Sequence, residues 1–208
     1  MSSNNEQISG NVFLVDDDKE FLDSLVYLLN KAGFNSVPFK SASDFLNARH
    51  ELGPACLILD RSMPLMSGMD LFRELKLRNF TKPVVFLTGA GTVPSAVEAV
   101  RLGAVEYLEK PVDPSHLIEC VKGCIESDRQ AMLKWSEAQA LEEKFNQLTT
   151  RELEVVALVR DGIPSKQIAS RLGLSIKTIE VHRSHISKKL GAKSAAQLLR
   201  LICVPNDL

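Results

Sequence analysis

One stretch constrains this chain more than any other: Ala55-Cys56-Leu57-Ile58-Leu59-Asp60, five apolar residues that end abruptly on a carboxylate. Five residues is the length of a buried strand. An unbroken apolar run has no polar face, so such a strand is covered on both sides, as strands in parallel sheets are. Ligands and chemistry collect beyond the carboxyl ends of such strands, and Asp60 stands at that end. Taken alone, Asp60 is equally a turn residue that closes a strand. The other strand ends decide between the two.

Val12-Phe13-Leu14-Val15 is a second apolar run, and it stops on Asp16-Asp17-Asp18. Val84 to Leu87 is a third, ending on Thr88-Gly89, and Ala104-Val105-Glu106-Tyr107-Leu108 reads as the last strand, followed by Glu109-Lys110-Pro111. Ser36 to Phe39 is weaker, because Pro38 confines it to an edge or a strand end. Helical patterns lie between the runs. Phe21, Leu25, Leu28, Leu29 and Ala32 precede a capping Gly33. Ser43–Arg49 turns Phe45 and Leu46 inward, and Gly68–Arg78 turns Leu71, Phe72 and Leu75 inward. Pro94–Leu102 carries Val97, Ala99 and Val100. Asp113-Pro114 opens a helix striped by Leu117, Ile118, Val121 and Ile125, with Asp as N-cap and Pro in the first turn. Five strand–helix alternations in roughly 115 residues describe a doubly wound α/β sheet of the flavodoxin-like kind, with five parallel strands.

One edge of that sheet carries Asp16, Asp17, Asp60, Thr88 and Lys110. Carboxylates at close range raise one another's pKa, so a cation has to sit among them. A hard divalent ion with oxygen ligands fits, and Mg²⁺ uses one or two carboxylates together with water and phosphate oxygens. Lys110 adds a second positive charge and Thr88 a hydroxyl. A carboxylate nucleophile, a metal, a lysine and a hydroxyl suit a phosphoryl group.

With Asp16-Asp17, Asp60 followed by Met63-Pro64 and Gly68, Thr88-Gly89 and Lys110-Pro111 in this order, residues 11–127 resemble the receiver domain of bacterial two-component response regulators. Ala96-Val97-Glu98-Ala99 and Gly103-Ala104-Val105 are similar to the FixJ-like subgroup. The resemblance implies that Asp60 accepts a phosphoryl group from a sensor histidine kinase. It implies Mg²⁺ held by Asp17 and Asp60, by Asp16 through water, and by the Ser62 carbonyl. Thr88 and Lys110 would bind phosphoryl oxygens, Tyr107 would be an aromatic switch, and the Lys110–Pro111 bond would be cis. The face built from the Pro94–Leu102 helix, the last strand and the Asp113 helix is expected to pair two protomers into a homodimer on phosphorylation.

The charge changes sign along the chain. Residues 1–124 carry 12 Lys/Arg against 16 Asp/Glu, and residues 125–208 carry 13 against 10. Within 163–200 there are eight basic residues and one acid, Glu180, which points to an anionic partner, nucleic acid first. No apolar run approaches the ~20 residues of a membrane span. The polar first ten residues lack a signal-peptide core and read as a disordered tail. The four cysteines, Cys56, Cys120, Cys124 and Cys203, have no metal-ligand spacing, which fits reduced thiols in a cytoplasmic protein.

Residues 128–147, free of Pro and Gly and rich in helix formers, read as a helical linker that can continue the preceding helix, and as a spacer in preference to a dimer zipper, because the apolar pattern is short for a coiled coil. Thr149 and Glu152 then form a capping box ahead of Val155, Val156, Leu158 and Val159. Ser165–Leu172, the turn Gly173-Leu174-Ser175 and a third helix to Leu190 read as helix-turn-helix. A fourth helix spans Ser194–Ile202, so the second domain, 148–208, is all-α with four helices. At about 100° per residue, Ile179, Ile186 and Leu190 share one arc of the third helix. Lys177, Val181, Ser184 and Lys188 share the opposite arc, with Glu180 beside them.

Leu148-Thr149, Arg151-Glu152, Val155, Gly162, Lys166-Gln167-Ile168-Ala169, Leu172-Gly173-Leu174-Ser175, Thr178-Ile179-Glu180, His182-Arg183, Ile186 and Lys189-Leu190-Gly191 resemble the LuxR-type DNA-binding domain. Glu180, Val181 and Ser184 are then assigned to base edges of double-stranded DNA, and Lys177, Thr178, Arg183 and Lys188 to phosphates. His182 is assigned to packing or a flanking phosphate. The expectation is a phosphorylation-activated transcription regulator that recruits RNA polymerase and turns over no external substrate. The alternative is a phosphorylation-independent DNA-binding regulator whose receiver serves as a dimerisation scaffold.

Overall fold

The structure, a computed structural model, describes residues 10–50, 53–89 and 93–203. Apart from Gly10, the tail expected over 1–10 lies outside the described residues, as do 204–208 of the last domain. The chain divides into two compact units, residues 1–133 and 134–208.

The first unit is a five-stranded parallel sheet: β1 (Asn11–Val15), β2 (Asn35–Phe39), β3 (Ala55–Leu59), β4 (Val84–Thr88) and β5 (Glu106–Glu109). The strands lie in the order β2-β1-β3-β4-β5. The three unbroken apolar runs are the central strands, and every residue in them is buried. Pro38 falls on β2, an edge strand, where a missing N–H costs no ladder bond on the open side.

Alternation along the strands divides the core into two layers. Phe13, Val15, Leu57, Leu59, Val84 and Phe86 pack against α2 (Ala42–Asn47) and α3 (Gly68–Leu77), joined by Ala99 of α4 (Val93–Arg101). Val12, Leu14, Cys56, Ile58, Val85 and Leu87 pack against α1 (Lys19–Lys31) and α5 (Pro114–Phe145).

Four details depart from the sequence reading. The core face of α1 is Leu22, Leu25 and Leu29, while Phe21 is only partly buried beside it. On α4, Ala99 is buried but Val97 and Val100 are 43% and 57% exposed. Strand β5 starts at Glu106, not Ala104, because the Ala104 N–H is donated to the Ala99 carbonyl and closes α4. Helix α5 is one helix from Pro114 to Phe145, and its residues up to Leu133 belong to the first unit, beyond the boundary expected at 127. The cause is Asp128, 4% exposed, which accepts from Ala55 N–H (2.8 Å) and Lys82 Nζ (2.8 Å). Lys82 also donates to the Gly53 carbonyl at 3.0 Å.

The second unit packs α6 (Thr150–Arg160), α7 (Ser165–Leu172), α8 (Ile176–Leu190) and α9 (Ala195–Ile202) around Val155, Ile168, Ile179, Ile186, Leu190 and Leu198. Thr149 caps α6 in a complete capping box with Glu152. Gly173 (φ 65°) ends α7 in the left-handed region, and Ser175 caps α8 by accepting the Thr178 N–H. Among the described residues no helix is long and apolar enough to cross a membrane.

Candidate functional site

Parallel register brings the strand-end residues together. Val15 pairs with Leu59, so Asp16 and Asp60 leave adjacent strands side by side, and Asp60 N–H donates to the Val15 carbonyl (2.8 Å). Lys110 N–H donates to the Thr88 carbonyl (2.8 Å), which aligns the end of β5 with the end of β4. The Lys110 ammonium then bridges the two acids, 2.5 Å from Asp16 Oδ2 and 2.9 Å from Asp60 Oδ1. The remaining carboxylate oxygens accept from the backbone: Asp60 Oδ2 from Ser62 N–H (2.6 Å) and Asp16 Oδ1 from Asp18 N–H (2.9 Å). Gly68 approaches so closely that a Cβ there would lie 2.0 Å from the Asp60 carbonyl oxygen. The loop after Asp60 therefore requires glycine at that position.

Asp16 and Asp60 are 5% and 6% exposed. Burial pushes the Asp16 carboxyl above its ordinary value, more than Lys110 and the Asp18 N–H pull it down. For Lys110 burial acts downward, but the bonds and charges of Asp16 and Asp60 outweigh it and hold the ammonium above its usual range. The site thus holds more negative charge than its one lysine neutralises.

Of the predicted metal donors, the structure gathers Asp16 and Asp60 around Lys110. Asp17 and Ser62 are exposed alongside. Among the described residues no three His, Cys, Asp or Glu side chains are assembled as a metal cluster. The cation that the carboxylates require between them is here the Lys110 ammonium. The donor set is nevertheless all oxygen and carries excess negative charge, which suits a hard divalent ion.

Thr88 ends β4 and is fully buried. Tyr107 packs its ring 5.9 Å from Phe86, and its hydroxyl is buried without a hydrogen-bond partner. The Lys110–Pro111 bond is cis. One neighbour was not singled out from sequence: the Phe21 ring, whose centroid is 4.1 Å from Lys110 Nζ. Its apolar character assigned it to the core stripe, a slot that Leu22 fills.

The second unit presents a different surface. Lys177, Glu180, Val181, Ser184 and Lys188 are all exposed on α8, opposite the buried Ile179, Ile186 and Leu190. Thr178 is half-buried, and its hydroxyl is 2.8 Å from that of Ser175. Arg183 is half-buried, with Nη1 3.5 Å from Ser165 Oγ at the start of α7. His182 is half-buried, flanking the exposed face. Lys189, counted with the basic surface, is turned inward: its Nζ donates to Glu152 (2.6 Å) and to the Gln147 carbonyl (3.0 Å).

Comparison with known proteins agrees with both geometries. Residues 12–122 match the response regulator receiver domain, and residues 146–202 match the bacterial regulatory proteins of the luxR family. The transcriptional regulatory protein FixJ of Bradyrhizobium diazoefficiens is 35% identical over 92% of this chain and 94% of its own. The transcriptional regulatory protein TdiR of Thauera aromatica is 37% identical over 92% and 84%. Among solved structures, the response regulator StyR superposes with a TM-score of 0.85 at 37% identity, covering 93% of this chain and 98% of that one. The chain belongs to the response-regulator family, with a receiver domain followed by a LuxR-type DNA-binding domain. Within that family it is similar to FixJ and related transcriptional regulators.

Proposed function

We propose that Asp60 is the phosphoacceptor and that its phosphorylation by a sensor histidine kinase controls DNA binding by the second domain. The observation that carries this reading is the Lys110 ammonium bridging Asp16 and Asp60 at the strand ends. An Asp60 carboxylate oxygen attacks phosphorus. The new O–P bond forms as the P–N bond of a phosphohistidine breaks, and the imidazole departs. Lys110 shifts its N–H donors to the phosphoryl oxygens, and Thr88 contributes its hydroxyl. Asp16, Asp17, Asp60 and the Ser62 carbonyl would hold Mg²⁺, which when bound neutralises the charge that three anionic oxygens bring.

The product adds strong acceptor oxygens and about one further negative charge. Drawing Thr88 and Lys110 toward it opens room beneath β4 into which Tyr107 turns. The α4–β5–α5 face exposes Val97, Val100 and Val105 (43%, 57% and 55%), and this apolar surface would join two protomers. A dimer places two α8 helices on a two-fold-related operator, with Glu180, Val181 and Ser184 at base edges and Lys177, Thr178, Arg183 and Lys188 at phosphates. The regulator acts in the cytoplasm, recruits RNA polymerase and loses its phosphoryl group by self-dephosphorylation. Sedimentation velocity with and without acetyl phosphate and Mg²⁺ tests the link between site and assembly. The wild type doubles in mass and Asp60→Asn does not; an unchanged wild-type mass under full phosphorylation would refute it.

A further inference from the structure

Phe21 packs at the margin of the core, partly buried, and meets a charged group there. Leu22, its neighbour, is 2% exposed and fills the core beneath α1 with Leu25 and Leu29. The partly buried Phe21 ring packs beside that core and also stands over the Lys110 ammonium, 4.1 Å from centroid to Nζ. An ammonium has three N–H donors. Two are engaged by Asp16 Oδ2 at 2.5 Å and Asp60 Oδ1 at 2.9 Å. The negative face of an aromatic ring accepts the remaining side of the cation.

The turn that fixes Asp16 also fixes this ring. Asp18 N–H donates to Asp16 Oδ1 at 2.9 Å, and Phe21 N–H donates to Asp18 Oδ1 at 3.1 Å. The ring and one of the two carboxylates are therefore held to the lysine by a single N-capped helix start.

We propose that Phe21 is a positioning residue for phosphoryl transfer, holding the Lys110 ammonium where it meets the incoming phosphoryl oxygens. This rests on Asp60 being the phosphoacceptor. A ring suits the task because it satisfies a half-buried cation without adding an anion that competes with the phosphoryl group. It also leaves the third N–H in a weak, easily exchanged interaction. Leucine would keep the volume and remove that partner, letting the lysine drift toward Asp16 or solvent. Tyrosine would keep the ring face.

The test uses the full chain with Phe21→Leu and Phe21→Tyr, acetyl phosphate and Mg²⁺, and phosphoryl uptake followed by intact mass over time. Phe21→Leu is expected to slow uptake by about 5-fold or more, and Phe21→Tyr to stay within about 2-fold of wild type. A second readout needs no phosphoryl chemistry. The Lys110 Hε protons, lying over a ring face, resonate upfield in wild type and Phe21→Tyr and lose that shift in Phe21→Leu. Wild-type uptake by Phe21→Leu, an equal loss in Phe21→Tyr, or unshielded Lys110 protons in the wild type would each overturn the assignment. Shielded Lys110 protons in a wild type that takes up no phosphoryl group would locate the failure in the phosphoacceptor reading itself, and the role in transfer would fall with it.

Discussion

Glu152 offers the sharpest quantitative test of the second domain. It is 3% exposed at the first turn of α6. Its carboxylate accepts from Thr149 N–H (2.8 Å), Thr149 Oγ1 (3.1 Å) and Lys189 Nζ (2.6 Å). Burial pushes its pKa up, but Lys189 and the two Thr149 bonds prevail and hold it from 4.5 down to about 2. At about 1.4 kcal/mol per tenfold, that difference is worth roughly 3 kcal/mol. The Lys189 side chain is 33% exposed, and solvent screening trims the figure to about 2 kcal/mol. Because the folded value is depressed, this stability is complete above about pH 4.5 and is lost as pH falls toward 2.

Glu152→Gln keeps an acceptor for the Thr149 N–H and removes the charge. It is expected to cost about 2 kcal/mol at pH 7, less at pH 3.5, and almost nothing near pH 2. Urea titrations of the full chain, followed by the Val155 and Ile186 amide signals, measure this directly. A cost below about 0.5 kcal/mol at pH 7, or one that does not change with pH, would refute the assignment of stability to this buried ion pair.

Three further predictions concern single side chains. Tyr107→Phe removes a buried hydroxyl that has no partner, so it should raise stability by about 1 kcal/mol in thermal or urea unfolding; a loss of that size would mean the hydroxyl is satisfied. Asp128→Ala strips Lys82 and the Ala55 N–H of their common acceptor. It should cost about 3 kcal/mol and raise hydrogen exchange over residues 124–133, and unchanged exchange there would show that α5 is held by its apolar stripe alone. Lys188→Ala should weaken binding to any duplex and reduce the log-salt slope by roughly 1; an unchanged slope removes Lys188 from the phosphate contacts.

Where an element's residues carry its whole reason, it was legible in the chain. β1, β3 and β4 are built on unbroken apolar runs because both their faces are covered, and helices between the strands make the sheet parallel, but the order β2-β1-β3-β4-β5 depends on which face each helix covers. Gly173, Ser175 and the Thr149–Glu152 capping box marked the helix ends of the second domain for local reasons. Residues whose role depends on distant partners were not legible. Asp128 reads as one more polar residue on a polar helix, yet its partners lie 46 and 73 positions away. Lys189 reads as surface charge until Glu152 is placed beside it. Phe21 and Leu22 are adjacent and both apolar, so periodicity could not say which faces the core and which faces Lys110. Val97 and Val100 fit a buried stripe equally well; their exposure follows from how α4 sits on the sheet.

Asp60, bridged by Lys110 to Asp16, is proposed to take up a phosphoryl group. Intact mass after incubation with acetyl phosphate and Mg²⁺, wild type beside Asp60→Asn, tests it most directly. One phosphoryl increment is expected on the wild type and none on the variant. An increment on both would move the acceptor elsewhere, and no increment on the wild type, even with a competent histidine kinase, would contradict the claim and leave the receiver as a scaffold for the DNA-binding domain.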